Sequence, residues 1–93
     1  MKTQVYFAAT HGRLKVGSTS KPVSERLKAI NAYLPTPLVL IAVIDGDLAV
    51  EREAQKLLKK YHLSGEWFSD CQGSRFIIEN VIPQSAVAHR SAA

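Results

Sequence analysis

The order of apolar and polar positions divides the chain into segments of different period. Gln4-Val5-Tyr6-Phe7-Ala8-Ala9 is rich in β-formers, Thr10-His11-Gly12-Arg13 has the composition of a turn, and Leu14-Lys15-Val16-Gly17 resumes the strand. This pattern predicts a β-hairpin. Period-two alternation puts Val5, Phe7, Leu14 and Val16 on core-seeking faces, with Tyr6 and Lys15 on the opposite faces of their strands. In a compatible register, Tyr6 and Lys15 share one side of the sheet.

The period then becomes helical. Val23, Leu27, Ile30 and Leu34 recur at i, i+4, i+7 and i+11, one stripe of a helix that Thr19 or Ser20 is placed to cap and that Pro22 suits at its first turn. Arg26 falls on the flank of that stripe, where its stem can pack while its guanidinium reaches outward. Pro35 and Pro37 end the helix. Leu38 to Ile44 is a continuous apolar run without alternation, the pattern of a strand covered on both faces. Asp45-Gly46-Asp47 reads as turn and helix cap. A second helix is expected from about Leu48 to Tyr61, with Val50, Ala54, Leu57, Leu58 and Tyr61 as its buried stripe. Glu51 and Glu53 lie on opposite flanks of that stripe, and periodicity does not choose between them. Ser64-Gly65 ends the helix, and Trp67 and Phe68 return to the core.

These elements predict one domain over residues 1–82, α+β in class, with a small antiparallel sheet of about three strands flanked by helices. Residues 83–93, mostly small, are expected to form a frayed tail. No apolar run reaches the ~20 residues that span a bilayer. The opening Met1-Lys2-Thr3-Gln4 lacks the look of a secretory leader, and the single Cys71 cannot form an internal disulfide, so a cytoplasmic setting is the plain reading. His11, His62 and His89 lack the spacing of zinc ligands.

Charge changes the picture. The net charge of +4 is unevenly spread: residues 1–44 carry six basic side chains (Lys2, Arg13, Lys15, Lys21, Arg26, Lys28) against Glu25, whereas residues 45–93 carry six basic against seven acidic. A basic half beside a near-neutral half suggests a face for a polyanion, although a merely solubilising surface has the same composition. Beside the core the pattern leaves Tyr6, Lys15, Arg26 and either Glu51 or Glu53. Phosphodiester hydrolysis needs a polarised water, a cation on the phosphoryl oxygens and often a metal. A carboxylate suits Mg²⁺, arginine grips phosphate bidentately, and tyrosine or lysine can handle a proton. Each residue alone also has an ordinary account: Tyr6 as a strand aromatic, Lys15 as a solvated strand cation, Arg26 or Glu51 as partners of helix neighbours.

Val5-Tyr6-Phe7, Lys15-Val16-Gly17, Ser24-Glu25-Arg26-Leu27, Glu51 and Gly65-Glu66-Trp67-Phe68, in that order and spacing, resemble the GIY-YIG endonuclease superfamily. More narrowly, the chain is similar to the small stand-alone branch of phages and bacteria that ends in a Gly-Glu-Trp-Phe motif. The resemblance covers residues 3–70. It implies a DNA endonuclease using Mg²⁺ or Mn²⁺, with Tyr6 at the catalytic tyrosine of the first motif, Gly17 at the glycine of the second, Arg26 on the scissile phosphate and Glu51, rather than Glu53, on the metal. Lys15 stands where many members have the second tyrosine. Gln55 stands where the branch often has histidine.

On this reading the catalytic set is Tyr6, Lys15, Arg26 and Glu51, expected to open onto one groove, and the DNA-binding rim is Arg13, Lys21 and Lys28. Lys15 acts either as a neutral base or as a cation beside an anion. Sequence specificity is expected to come from a protein partner if it exists at all. A DNA-binding module with little or no catalysis and a protein-interaction domain are the alternatives.

Overall fold

A computed structural model describes residues 3–82; the tail expected at 83–93 lies outside the described residues. Strands β1 (Gln4–Thr10) and β2 (Arg13–Thr19) pair antiparallel with Thr10 opposite Arg13, so His11 and Gly12 form a two-residue turn. Both turn residues have positive φ, 47° and 73°, the geometry whose twist matches that of the flanking strands.

Three further strands complete the sheet: β3 (Val39–Asp45), β4 (His62–Ser64) and β5 (Trp67–Ser69), in the order β3-β1-β2-β5-β4, with every neighbouring pair antiparallel. The sheet therefore has five strands, not three. The two extra strands are three residues each, too short to show alternation, and Gly65 at φ 52° turns between them. A second correction concerns β3. It is an edge strand, with Val39 67% and Leu40 44% exposed, and not a strand covered on both faces.

Helix α1 (Val23–Asn31) packs Val23 and Leu27 against Tyr6, Ala8 and Leu38. Its start has no side-chain cap; Thr19 Oγ1 instead accepts from the Lys21 N–H at 3.1 Å, bracing the turn before the helix. Its exit is held by Asn31, whose Oδ1 accepts from the Leu38 N–H at 2.8 Å. Helix α2 (Leu48–Leu57) is capped by Asp47, which accepts from the N–H groups of Ala49 and Val50. It packs Val50, Ala54 and Leu58 with Val5, Phe7, Leu14, Val16 and Phe68. The helix is shorter than its stripe suggested, continuing after Leu58 as a 3₁₀ turn over Lys59–Tyr61. Helix α3 (Gln72–Phe76) and the wider helical turn Ile77–Val81 add Ile78 to this second core, as does Ile82. Burying each large side chain contributes roughly 1.5–3 kcal/mol. The sheet thus lies between two layers, with α1 on one face and α2 on the other.

Candidate active site at the open edge of β2

Residues directly opposite in an antiparallel pair share a face. Tyr6 pairs with Gly17, Ala8 with Lys15, and Lys15 in turn with Trp67, so all of these side chains face α1. Tyr6 is 1% exposed. Its ring crosses Gly17, where a Cβ would meet Tyr6 Oη at 2.6 Å. The hydroxyl has no hydrogen-bond partner among the described residues, and it is not among the polar atoms sealed from solvent, of which Thr10 Oγ1 is the one without a partner. Tyr6 is therefore a core aromatic whose sliver of exposure is at its oxygen.

Glu51 comes from the other face. It lies on the first turn of α2, is 6% exposed, and accepts from Gln55 Nε2 at 3.4 Å. The same Gln55 Nε2 is 3.4 Å from the Val16 carbonyl oxygen. Both contacts are at the long end for hydrogen bonds. No Lys, Arg or His among the described residues pairs with Glu51. Glu53, by contrast, is exposed.

Of the four residues expected to open onto one groove, Tyr6, Lys15 and the helix α1 that carries Arg26 lie on one face of the sheet, whereas α2, which carries Glu51, packs on the other. What brings the faces into proximity is a missing strand. The pairing of β2 with β5 stops at Lys15–Trp67, followed by one bond from Val16 N–H to the Glu66 carbonyl at 3.0 Å. Beyond it the outer edge of β2, Gly17 to Thr19, has no partner strand among the described residues. Gln55 reaches this edge at the Val16 carbonyl and Tyr6 crosses it at Gly17, the two residues of one peptide bond, while Glu51 is joined to the edge through Gln55. Arg26, in α1 beside the buried Leu27, is exposed and free of any ion pair among the described residues.

Lys15 is held among groups that suit a cation. Its Nζ donates to Glu66 Oε2 at 2.7 Å and lies 5.5 Å from the centroid of the Trp67 ring. Sequence reasoning missed the role of Glu66, because only the β2–β5 register brings it to Lys15. It also missed the reach of Gln55 to the strand edge. The DNA-rim candidates Arg13, Lys21 and Lys28 are all exposed and, among the described residues, unpaired. Cys71 is exposed, with its thiol held below the ordinary value of 9.0 by hydrogen bonds from Ser74, the backbone N–H first and the hydroxyl second. Beyond this, the Asp70–Arg75 fork, with Nη2 to Oδ2 at 3.0 Å, raises the Arg75 guanidinium further above its usual range.

Among the described residues, no group of three or more His, Cys, Asp or Glu side chains is placed to hold a metal. A cation at Glu51 would complete its shell with water and substrate oxygens, the habit of Mg²⁺. No helix among the described residues is long and apolar enough to cross a membrane.

Fold and site together define a small antiparallel α+β domain whose candidate chemistry sits at an open sheet edge between two helices. The family model of the T5orf172 domain, a phage-associated domain, matches residues 3–83. The chain belongs to the T5orf172 domain family. No curated protein and no solved structure matches it.

Proposed function

We propose that this chain is a metal-dependent DNA endonuclease of the GIY-YIG type. One observation carries the reading. Glu51 is 6% exposed, has no cationic partner among the described residues, keeps one carboxylate oxygen at the surface, and is linked through Gln55 to the same peptide that the hydroxyl of Tyr6 overlies. A carboxylate with one oxygen at the surface and no cation beside it is a ready ligand for a divalent cation, which takes oxygen donors and keeps its remaining positions for water and substrate.

Glu51 is the residue that would hold Mg²⁺ or Mn²⁺; the ion, when bound, polarises a phosphoryl oxygen and lowers the charge barrier to attack. Arg26 is free to bind the phosphate bidentately. Tyr6 Oη, open at its tip only, orients the attacking water by a hydrogen bond. Lys15, engaged as a cation by Glu66 and Trp67, balances anionic charge on that face and is not the base. Gln55 fixes the Glu51 carboxylate against the strand.

The test is nicking of supercoiled plasmid in Mg²⁺ or Mn²⁺. The parent and Glu53→Gln are expected to nick alike, and Glu51→Gln to lose on the order of a thousand-fold in rate. Equal rates in the two variants would move the metal off Glu51. A parent inactive in both metals on every DNA form, yet binding DNA, would make the chain a binding module on this scaffold.

A further inference from the structure

A pocket of about 340 Å³ opens on the α1 face at the far end of β2 from Gly17, lined by Thr10, His11, Arg13, Leu34, Thr36 and Trp67 among others. Its chemistry is mixed in a specific way. Trp67 and Leu34 supply apolar surface, and Arg13 is an exposed cation without an ion pair among the described residues. His11 and Thr36 hydrogen-bond each other at 2.8 Å at the rim. Thr10 Oγ1 is sealed from solvent without a partner. Tyr33, which directly precedes Leu34, is 90% exposed, an aromatic that the core does not use.

The pocket is also in line with the candidate active site. Arg13, Lys15 and Gly17 alternate onto the same face of β2. Four residues at ~3.3 Å separate Arg13 from Gly17 by about 13 Å, the axial rise of roughly four stacked nucleotides at ~3.4 Å each. A strand that follows β2 from the open edge would bring a nucleotide a few positions along the strand to Trp67. Base pairs within a duplex do not present a ring face to such a pocket, whereas an unpaired base does, and aromatic–cation platforms hold single strands by stacking.

We propose that this pocket receives an unpaired nucleobase, so that the preferred substrate is DNA with a single-stranded segment beside the cleaved bond. The inference rests on the DNA reading of the open edge. Trp67 is the only tryptophan in the chain, so its fluorescence reports on the pocket directly. The experiment titrates metal-free protein with an eight-nucleotide oligothymidylate, with an abasic strand of the same length and charge, and with a blunt duplex. Oligothymidylate is expected to quench Trp67 and to bind about tenfold or more tighter than the abasic strand. The duplex should bind without quenching. In Thr36→Phe, which fills the pocket, the advantage of bases over abasic sites should fall to near one while duplex affinity is kept. Equal affinity for the two single strands with Trp67 unquenched would overturn the pocket and leave DNA binding standing. Binding of none of the three would overturn both.

Discussion

The ring of Tyr6 lies across Gly17, its partner on the neighbouring strand, so closely that a Cβ there would fall 2.6 Å from the hydroxyl oxygen and 2.7 Å from the ring carbon bearing it. Gly17 is needed for this approach and not for its backbone angles, since only Gly12 and Gly65 among the described glycines have positive φ. Gly17→Ala must displace the ring within a packed core, at a cost of about 1–3 kcal/mol in urea unfolding. Tyr6→Phe is different. The hydroxyl has no partner to lose among the described residues, so stability should change by less than about 1 kcal/mol. Plasmid nicking should nevertheless fall by about a hundred-fold or more if Tyr6 orients the attacking water. A Tyr6→Phe variant that nicks at the parental rate would reduce Tyr6 to a core aromatic.

Glu51 gives a prediction that needs no turnover. Glu51 has no cationic partner among the described residues and its amide is nearly isosteric, so Glu51→Gln should be about as stable as the parent in metal-free buffer. Metal separates the two. Mn²⁺ at ten times its dissociation constant should stabilise the parent by about 1.4 kcal/mol, a rise in Tm of several degrees. The melting temperature of Glu51→Gln should stay where it is. A parent melt insensitive to Mn²⁺ and Mg²⁺ would remove Glu51 as a metal ligand.

What the sequence displayed of this fold follows from how local each signal is. The hairpin was legible because β-formers, a glycine turn and alternation coincide within residues 4–17, and α1 because Val23, Leu27 and Ile30 recur at helical spacing, although the helix ends at Asn31 and leaves Leu34, the last member of the expected stripe, beyond it. The apolar run of β3 misled, since the run itself carries no sign of whether a strand lies at the edge or the centre. Strands β4 and β5 are too short for any period. Glu51 and Glu53 were symmetric about the α2 stripe, and only the docking of α2 on β2 buries one and exposes the other. The ion pair of Lys15 with Glu66 spans fifty-one positions and exists through strand register alone.

Cys71 should be more reactive than an ordinary exposed thiol. Ser74 lowers it from 9.0, chiefly through its backbone N–H, so the folded state favours the thiolate. In sign, a group lowered by folding contributes to stability above its unfolded value and loses that contribution as pH falls through the folded one. At pH 7.5, iodoacetamide should modify folded protein faster than protein unfolded in urea. Ser74→Ala removes only the hydroxyl, so it should slow the reaction in part. A half-maximal rate at or above pH 9 in the folded protein would contradict this.

The basic rim makes a prediction about salt and not about affinity alone. Each phosphate neutralised by a cation steepens the fall of log affinity with log salt by roughly 0.9 on duplex DNA. Arg13 and Lys21 are exposed and unpaired among the described residues, and they flank β2 on either side of the open edge. Replacing both with alanine should flatten the salt slope by about two and weaken binding similarly for all DNA sequences. Lys56 and Lys59 are equally exposed but belong to α2 and the turn after it, in the near-neutral half of the chain. The corresponding double variant loses the same formal charge, so it separates a phosphate-contacting rim from an effect of net charge. If the two double variants flatten the slope equally, the rim is not localised at β2 and Arg13 and Lys21 serve solubility.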